Sequence, residues 1–520
     1  FRGGSTCRNG GSTSQEFTAG KVIEQTDNGG KLTFTYDSRG NTIAVKQGPI
    51  TLVSHTYDHN YGRKMNTNDC DAGLITYDYD ALGRLTMEKD AKNQTTTFDY
   101  DILNRVTHRY GPEGTTIYEY WGAGSGHANQ LKKITAFSGA VDEFDYDLLG
   151  NLNYKKRTFD NKTFESWYSY NAFGDVQTVN YNTGFGYENI YDANGFLQQV
   201  STTWSGFPYN YTPETLFTAG GMNGNGQYTS YTLGNGLTTT KTYDYGFPVA
   251  TVTPGIQDLV TNFNKQTGNL ITRTDNIVNF KEDFTYDNLN RLTSSTVTNL
   301  AQTLVGTPIN VTYDQQWGTI SQGNITSKTD VGNYQYGGFP RHAVKYVTNA
   351  QNQISKQKQD ITYTPFRKTD KVKETDPVSG DLYEQTFTYD GNYDRAKSVF
   401  SINSNTQQTR YYMGDWEYYT NGNRYIYYVP GGDGLCAIVE HCTSIYNPSK
   451  DIHYVYKDHL GSILTVTDEN GTIEAEQNFD AWGRSRNPQD WTDYANISTP
   501  PSWLYRGYTG HEHMPEFSLI

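Results

Sequence analysis

Along most of this chain polar and apolar residues alternate in short runs, and each run ends at a residue suited to a reversal. The stretch Phe98-Asp-Tyr-Asp-Ile-Leu-Asn-Arg-Val-Thr107 shows the unit. Phe98 and Tyr100 lie two apart and share one face of an extended strand, while Asp99 and Asp101 take the other. Asn104 then stands where the chain turns back. Gly, and at greater cost Asn, enters the left-handed backbone region without a large steric penalty, so a Gly/Asn column at a fixed offset marks a turn of positive φ. Four residues after a tyrosine that column reads Tyr36/Gly40, Tyr79/Gly83, Tyr100/Asn104, Tyr146/Gly150, Tyr170/Gly174, Tyr191/Gly195 and Tyr286/Asn290. Two residues further an aliphatic side chain follows in most copies: Leu85, Val106, Leu152, Val176, Leu197 and Leu292. Strand, tight turn and second strand make one β-hairpin per repeat.

The tyrosines Tyr36, Tyr57, Tyr79, Tyr100, Tyr120, Tyr146, Tyr170 and Tyr191 are spaced 20 to 26 residues apart, about what a hairpin and its connection consume. Tyr57 needs five residues to reach Gly62, which predicts a longer turn or a bulge. Trp121-Gly-Ala-Gly-Ser-Gly126 predicts a wider loop; it lacks the Lys-Ser/Thr and strand-to-helix context of a phosphate cradle. From about Gln198 to Asp283 the pattern blurs, and degenerate hairpins with longer loops are expected. It returns at Phe284-Thr-Tyr-Asp287 and, more loosely, at Val311-Thr-Tyr-Asp314, Ile361-Thr-Tyr-Thr364 and Phe387-Thr-Tyr-Asp390. Residues 1–20, rich in Gly, Ser and Thr, read as a linker or frayed edge, with structure beginning near Lys21.

Composition sharpens this picture. With 44 Tyr, 51 Gly, 23 Phe and 8 Trp against 16 Pro in 520 residues, the chain is rich in strand formers and turn formers. A mean hydropathy of −0.74 suggests disorder when read alone, but an aromatic content of 14% opposes that. The combination suits a thin β-layer with much polar surface better than a dense core. The net charge of −14 argues against a surface that tracks phosphates, which needs clustered Lys and Arg. No apolar run reaches the length of a membrane-spanning helix. The chain starts at Phe1 with no signal-peptide pattern, so an excerpt of a longer polypeptide is expected.

Few residues suggest chemistry. Of four cysteines, Cys7, Cys70, Cys436 and Cys442, the last two are close enough in sequence to bridge across a hairpin, a disulfide expected only in an extracellular setting. His441 beside Cys442 has no second ligand cluster. His511 and His513 flank Glu512 and would share a strand face, but no metal or other cofactor is expected. Asp37, Asp99, Asp101, Asp145, Asp147 and Asp287 recur with the repeat, which points to turn stabilisation through backbone N–H groups and away from a paired acid of a glycosidase. Neither a Gly-x-Ser-x-Gly elbow nor a His-Glu-x-x-His helix occurs.

These residues resemble the RHS/YD-repeat family, named for a Tyr-Asp signature such as Phe284-Thr-Tyr-Asp-Asn-Leu-Asn-Arg-Leu292. The last quarter resembles the RHS-associated core. Three runs carry this likeness: Asp458-His459-Leu-Gly461-Ser, Phe479-Asp-Ala-Trp482-Gly483-Arg484 and Tyr508-Thr-Gly510-His511-Glu512. The resemblance implies an all-β fold of spiralling antiparallel hairpins forming a hollow shell, with residues 21–425 as repeat wall and 426–520 as a core region cut short at its C-terminal end. It also implies encapsulation and delivery of a toxin domain lying beyond this fragment, by a shell that is not itself an enzyme. Family aspartates that sever that domain would lie past Ile520. The expected partners are that C-terminal domain and a secretion apparatus or translocon, with no nucleic acid, and the expected location is the medium or the cell surface. An extracellular adhesin or carbohydrate-binding surface is the alternative; an enzyme acting on polysaccharide ranks below both for want of a unique acid pair.

Overall fold

A computed structural model describes residues 14–18, 20–27, 30–204, 212–314, 323–337, 342–348, 359–376, 378–442, 449–492, 494, 500–517 and 519. The tyrosine-led runs are strands and the Gly/Asn column is a column of turns. Thr95–Tyr100 pairs antiparallel with Val106–Gly111 around Asn104, whose φ is 64°. Gly73–Tyr79 pairs with Leu85–Lys89 around Gly83, φ 83°. Gly40, Gly150, Gly174, Gly195 and Asn290 also have positive φ. Every such hairpin carries a register shift at its tyrosine: Tyr79 faces Leu85 while Asp78 faces Met87, so Thr86 is an extra residue. The same offset recurs at Tyr36, Tyr57, Tyr100, Tyr146, Tyr170, Tyr191 and Tyr286. A bulge in each hairpin raises local twist and bends the strand.

The chain forms two compact units. One comprises residues 1–112, 261–274 and 280–356; the other comprises 113–260, 275–279 and 357–520. In the first, strands such as Gly73–Tyr79 and Thr95–Tyr100 are half-buried along their length, and no buried apolar cluster forms among its described residues. That is the thin layer its composition implies. The second unit departs from it. There the strands between Ala136 and Leu233 and those between Ala396 and Tyr456 close on a shared core of Phe164, Tyr181, Phe185, Phe217, Trp416 and Tyr427. Tyr181 and Tyr427 have centroids 4.8 Å apart, and Phe185 and Tyr427 4.4 Å. Aromatic pairs at such separations add roughly 0.5–1.5 kcal/mol each beyond simple burial. Within this unit Arg157 grips Asp142 through Nε and an Nη at 2.7 Å, meets Asp390 at 2.5 Å and donates to Tyr412 O at 2.8 Å, all buried.

Several expectations need correcting. The first hairpin begins before Lys21: Ser14–Thr18 pairs with Lys21–Asp27 through a turn at Gly20, φ 76°. The run 1–13, with Cys7, lies outside the described residues. The stretch from Gln198 to Asp283 holds regular strands, Thr215–Met222, Tyr228–Leu233, Thr238–Asp244, Phe247–Thr253, Gln257–Phe263 and Leu270–Asp275. It looked degenerate because the spacing shifted, while positive-φ residues at Gly226, Gly236 and Gly246 kept the turns. The boundary at 425/426 falls inside the strand Arg424–Gly431, part of an 11-stranded sheet running from Asp360–Tyr363 to Ile473–Glu476. Cys436 and Cys442 are not a disulfide: both sit in the single strand Gly434–Cys442. Six steps at about 3.3 Å hold them about 20 Å apart, beyond the reach of a bridge. Cys436 Sγ instead faces Val429 O at 3.4 Å and Cys442 Sγ faces Gly422 O at 3.2 Å.

Asn104→Val places a β-branched residue at positive φ and is expected to lower stability by about 1–2 kcal/mol, whereas Asn104→Gly should leave it within a few tenths. Chemical denaturation followed by tyrosine fluorescence separates the two; equal effects would show that the backbone at Asn104 is not the constraint.

Candidate functional site

The repeating site is the joint between one hairpin and the next. In Asp80-Ala-Leu-Gly-Arg84 the Asp80 carboxylate accepts from Leu82 N and Arg84 N at 2.9 Å each, and Gly83 N donates to Asp80 O at 3.0 Å. Asp37, Asp101, Asp147 and Asp287 close their turns in the same way. Asp58 does so across a turn one residue longer, bonding Gly62 N at 2.8 Å. Asp99 and Asp145 do not cap turns. They stand within strands, where Asp99 accepts from Tyr110 Oη at 2.9 Å and Asp145 lies 3.6 Å from His127 Nε2.

Each tyrosine hydroxyl reaches back to the preceding repeat. Tyr100 Oη donates to Leu85 O at 2.7 Å, Tyr79 to Lys64 O at 2.8 Å, Tyr146 to Leu131 O at 2.9 Å and Tyr191 to Val176 O at 2.8 Å. Tyr36, Tyr170 and Tyr286 reach Val22 O, Leu152 O and Leu270 O. The acceptor is always two residues past the positive-φ residue. Leu85 lies beyond the Met87–Lys89 ladder with Thr95–Thr97, so the hydroxyl serves a carbonyl that ladder does not reach. Where arginine follows the turn residue, it extends the joint. Arg84 Nε holds Asp80 at 2.6 Å, its Nη1 donates to Asp101 O at 3.1 Å, and its guanidinium lies 4.8 Å from the Tyr100 ring centroid. Arg63 spans from Asp58 to Asp80 O in the same manner.

The C-terminal motifs reuse this turn. Gly461 and Gly483 have φ 85° and 87°, Asp458 accepts from Leu460 N and Ser462 N, and Asp480 accepts from Trp482 N and Arg484 N. Arg484 lies over Tyr494 at 4.2 Å. The three runs meet in one cluster: Thr509 N donates to Ser462 Oγ at 3.1 Å, Ile463 N to Gly507 O at 3.1 Å, and Phe479 packs edge-on to Tyr508 at 5.8 Å. Gly510, φ 72°, precedes His511, whose Nδ1 pairs with Thr509 Oγ1. His513 turns elsewhere and accepts Tyr508 N at Nε2, 3.0 Å. Burial pushes its pKa down to about 4, which keeps that nitrogen an acceptor. Glu512 is bound by Arg395 and Arg410 and accepts from Tyr412 Oη at 3.0 Å. Arg506 pairs at 3.1 Å with the buried Glu417, which also accepts Tyr419 Oη at 2.6 Å, and Arg410 stacks 3.9 Å from the Tyr505 ring.

Residues 79–116, which hold two consecutive joints, match the family model described as RHS Repeat. That stretch reads as an RHS repeat. The crystal structure of TcdB2-TccC3-TEV matches with a TM-score of 0.78 at 17% identity, covering 97% of this chain and 29% of that one. TcdB2-TccC3-Cdc42 gives 0.77 at 17%, covering 96% and 29%. The Photorhabdus luminescens Tc holotoxin pore gives 0.73 at 16%, covering 96% and 28%. The chain therefore spans less than a third of the chains it matches, and at this identity the likeness establishes the antiparallel hairpin fold. No curated protein matches it in sequence. Among the described residues no helix is long and apolar enough to cross a membrane.

Sequence reasoning missed the acceptors of the repeat tyrosines and the partners of Glu512. A backbone carbonyl carries no residue signature, so the first was invisible. The second left a trace in Arg410-Tyr-Tyr412, a charge beside aromatic residues in a strand, which needs a buried partner.

Tyr100→Phe removes one interrepeat bond and should cost about 1 kcal/mol, read as faster amide exchange at Leu85–Lys89 with the remaining repeats unaltered. The Arg63 side chain, with backbone N–H bonds from Tyr61 and Gly62, holds Asp58 down at a pKa of about 2. Its folded value is depressed, so its stabilisation is complete above the ordinary carboxyl range and is lost as pH falls through about 2. Carboxyl NMR should show Asp58 titrating there, and Arg63→Ala should move it upward; an unmoved midpoint would remove Arg63 as the cause.

Proposed function

We propose that this chain is wall and C-terminal closure of a secreted RHS shell that encloses and helps deliver a toxin domain following it in the polypeptide. The single observation carrying this reading is the interrepeat joint. Each hairpin presents the carbonyl that the next tyrosine needs, so the sheet extends by addition with no built-in end, and a bulge per hairpin keeps it twisting. A long twisted sheet of this kind curls around space. The fold likeness to TcdB2-TccC3 and to a Tc holotoxin pore supports the toxin context. In this reading the repeats from Lys21 onward are wall, the runs at Asp458, Phe479 and Tyr508 form the closure, and none of these residues is catalytic. Of the acidic side chains, Asp80 and Asp101 are engaged by turn N–H groups, Asp99 by Tyr110 Oη, and Asp142 and Asp390 by Arg157.

Delivery implies export, with a secretion apparatus as partner and the cell surface or medium as destination. Small-angle scattering and limited proteolysis of the polypeptide with its downstream domain test the reading. The 520-residue chain should exceed the radius of gyration of about 24 Å for a compact globule of its length, and the downstream domain should resist protease when attached and be digested when expressed alone. A compact radius together with equal digestion of the attached and separate domains would overturn it.

A further inference from the structure

The hairpin tip between the strands Arg424–Gly431 and Gly434–Cys442 receives two lysines from other strands of the same unit. Lys241, in Thr238–Asp244, donates through Nζ to Asp433 Oδ2 at 2.8 Å, an oxygen that Tyr231 Oη also reaches at 3.4 Å. Lys457, the last residue of Ser449–Lys457, meets the main chain instead: its Nζ donates to Asp433 O at 2.5 Å. Gln257 Nε2 donates to Lys457 O at 3.0 Å and holds the backbone behind that amine. The carboxylate of the tip is therefore engaged by Lys241, and among the described residues no carboxylate oxygen lies within ion-pair distance of Lys457 Nζ.

The other groups around this amine bring no negative charge to it. Cys436, in the strand leaving the tip, is buried, and burial pushes its thiol up to about 12. The Tyr243 phenol is likewise pushed up to about 12 by burial, and Tyr231 is raised as well, so all three are neutral at ordinary pH. Lys241 adds a second positive charge in the same cluster. Burial above all, together with that like charge, lowers the Lys457 amine below the ordinary lysine range, against the opposing pull of Asp433. A lysine desolvated beside another cation keeps more of its free amine at neutral pH, and the free amine is the nucleophile that attacks carbonyl compounds. Lys457 is also half-buried and not sealed. A Cβ on Gly434 would stand 3.1 Å from its Nζ, so the glycine leaves an approach to the amine that a side chain would cover.

We infer that Lys457 is a covalent modification site, whose amine condenses reversibly with small aldehydes to form an imine. The neutral amine attacks the carbonyl carbon and a C–N bond forms. The carbonyl oxygen then leaves as water, carrying the two amine protons, and a C=N bond remains. Small aldehydes are the class that fits, because the approach past Gly434 is the width of a missing side chain. An imine nitrogen without a proton cannot donate to Asp433 O, so modification also unties the hairpin tip from the strand that ends at Lys457. The site is independent of the shell reading, because it needs only this chain.

The test uses the full 520-residue chain, treated with trace acetaldehyde and sodium cyanoborohydride, which reduces each imine to a stable secondary amine. Labelling is followed from about pH 6 to 10, and the ethylated lysines are located by peptide mass spectrometry. At neutral pH Lys457 should label faster than the exposed Lys92 and Lys368, and its rate should level off at a lower pH than theirs. Lys241→Gln removes the like charge and frees the Asp433 carboxylate, so it should slow labelling of Lys457 and move its midpoint upward. Asp433→Asn removes the opposing charge and should do the reverse. Near-UV circular dichroism of the aromatic core checks that each variant is folded; where a variant is not, the comparison of lysines within the natural chain decides. Labelling of Lys457 no faster than that of Lys92 and Lys368, or an unchanged midpoint in folded Lys241→Gln, would each overturn the site.

Discussion

A β-hairpin that closes in a tight turn can satisfy its own ladder and still leave a carbonyl facing outward past the last rung. In this chain that carbonyl belongs to the residue two past the positive-φ position, and the phenol of the next repeat meets it. Leu85 O with Tyr100 Oη and Lys64 O with Tyr79 Oη are successive cases. The bond is worth only about 1 kcal/mol net, but a missing acceptor would leave a partly buried polar group unsatisfied at every junction. The tyrosine therefore does two jobs. Its ring supplies apolar surface to a half-buried face, and its hydroxyl fixes how far one hairpin sits from the next. Phenylalanine could do only the first, which gives a physical reason for tyrosine at this position in a chain that also uses Phe98 and Phe284 two residues earlier.

The two units solve the burial problem differently with the same joint. In the first, half-buried strands rely on the joint, the Asp-capped turns and arginines such as Arg63 and Arg84, because among the described residues no apolar cluster stands behind them. In the second, aromatic side chains close a core around Trp416 and Tyr427. Burying strands there forces polar groups inward, and each must be paired. Arg157 answers two carboxylates and a carbonyl at once. The Asp390 turn shows the adaptation locally. Tyr393 takes the position of the turn glycine with φ 65°, held by stacking on Phe366 at 4.0 Å and by a bond to Glu113.

What could be read beforehand was local in sequence. Alternation of Phe98, Tyr100 and the aspartates, followed by Asn104, is contained within one hairpin, and the backbone obeyed it. The bulge at each tyrosine was not legible, because an extra residue such as Thr86 has no distinctive side chain. The Cys436 to Cys442 segment was misread although it held its own warning: Cys-Ala-Ile-Val-Glu-His-Cys contains no turn former, so the two thiols had to share a strand. Asp99 and Asp145 were grouped with the turn aspartates by composition, yet they precede the tyrosine where Asp101 and Asp147 follow it, and that one-residue difference on either side puts them in the ladder.

The C-terminal runs are best understood as repeat turns put to a different use. Asp458, Gly461, Asp480 and Gly483 keep the hairpin geometry, but past Glu476 the long antiparallel ladder gives way to the short pair Asn478–Phe479 with Ser485–Arg486. What holds Tyr505–His513 is then charge and aromatic stacking. Arg395, Arg410 and Arg506 face Glu417 and Glu512, with Tyr412, Tyr419 and Tyr505 between them. Buried ion pairs add little net stability, because desolvation offsets attraction, yet removing one partner is costly. Such a network is therefore poor glue and a strict gauge of position. A segment tied down mainly by apolar contact could slide by a residue, whereas sliding this one would carry Glu512 away and leave the nearly fully buried Arg410 with only the more distant Glu417, 3.8 Å away. That is how the segment keeps its place where the long ladder no longer sets it.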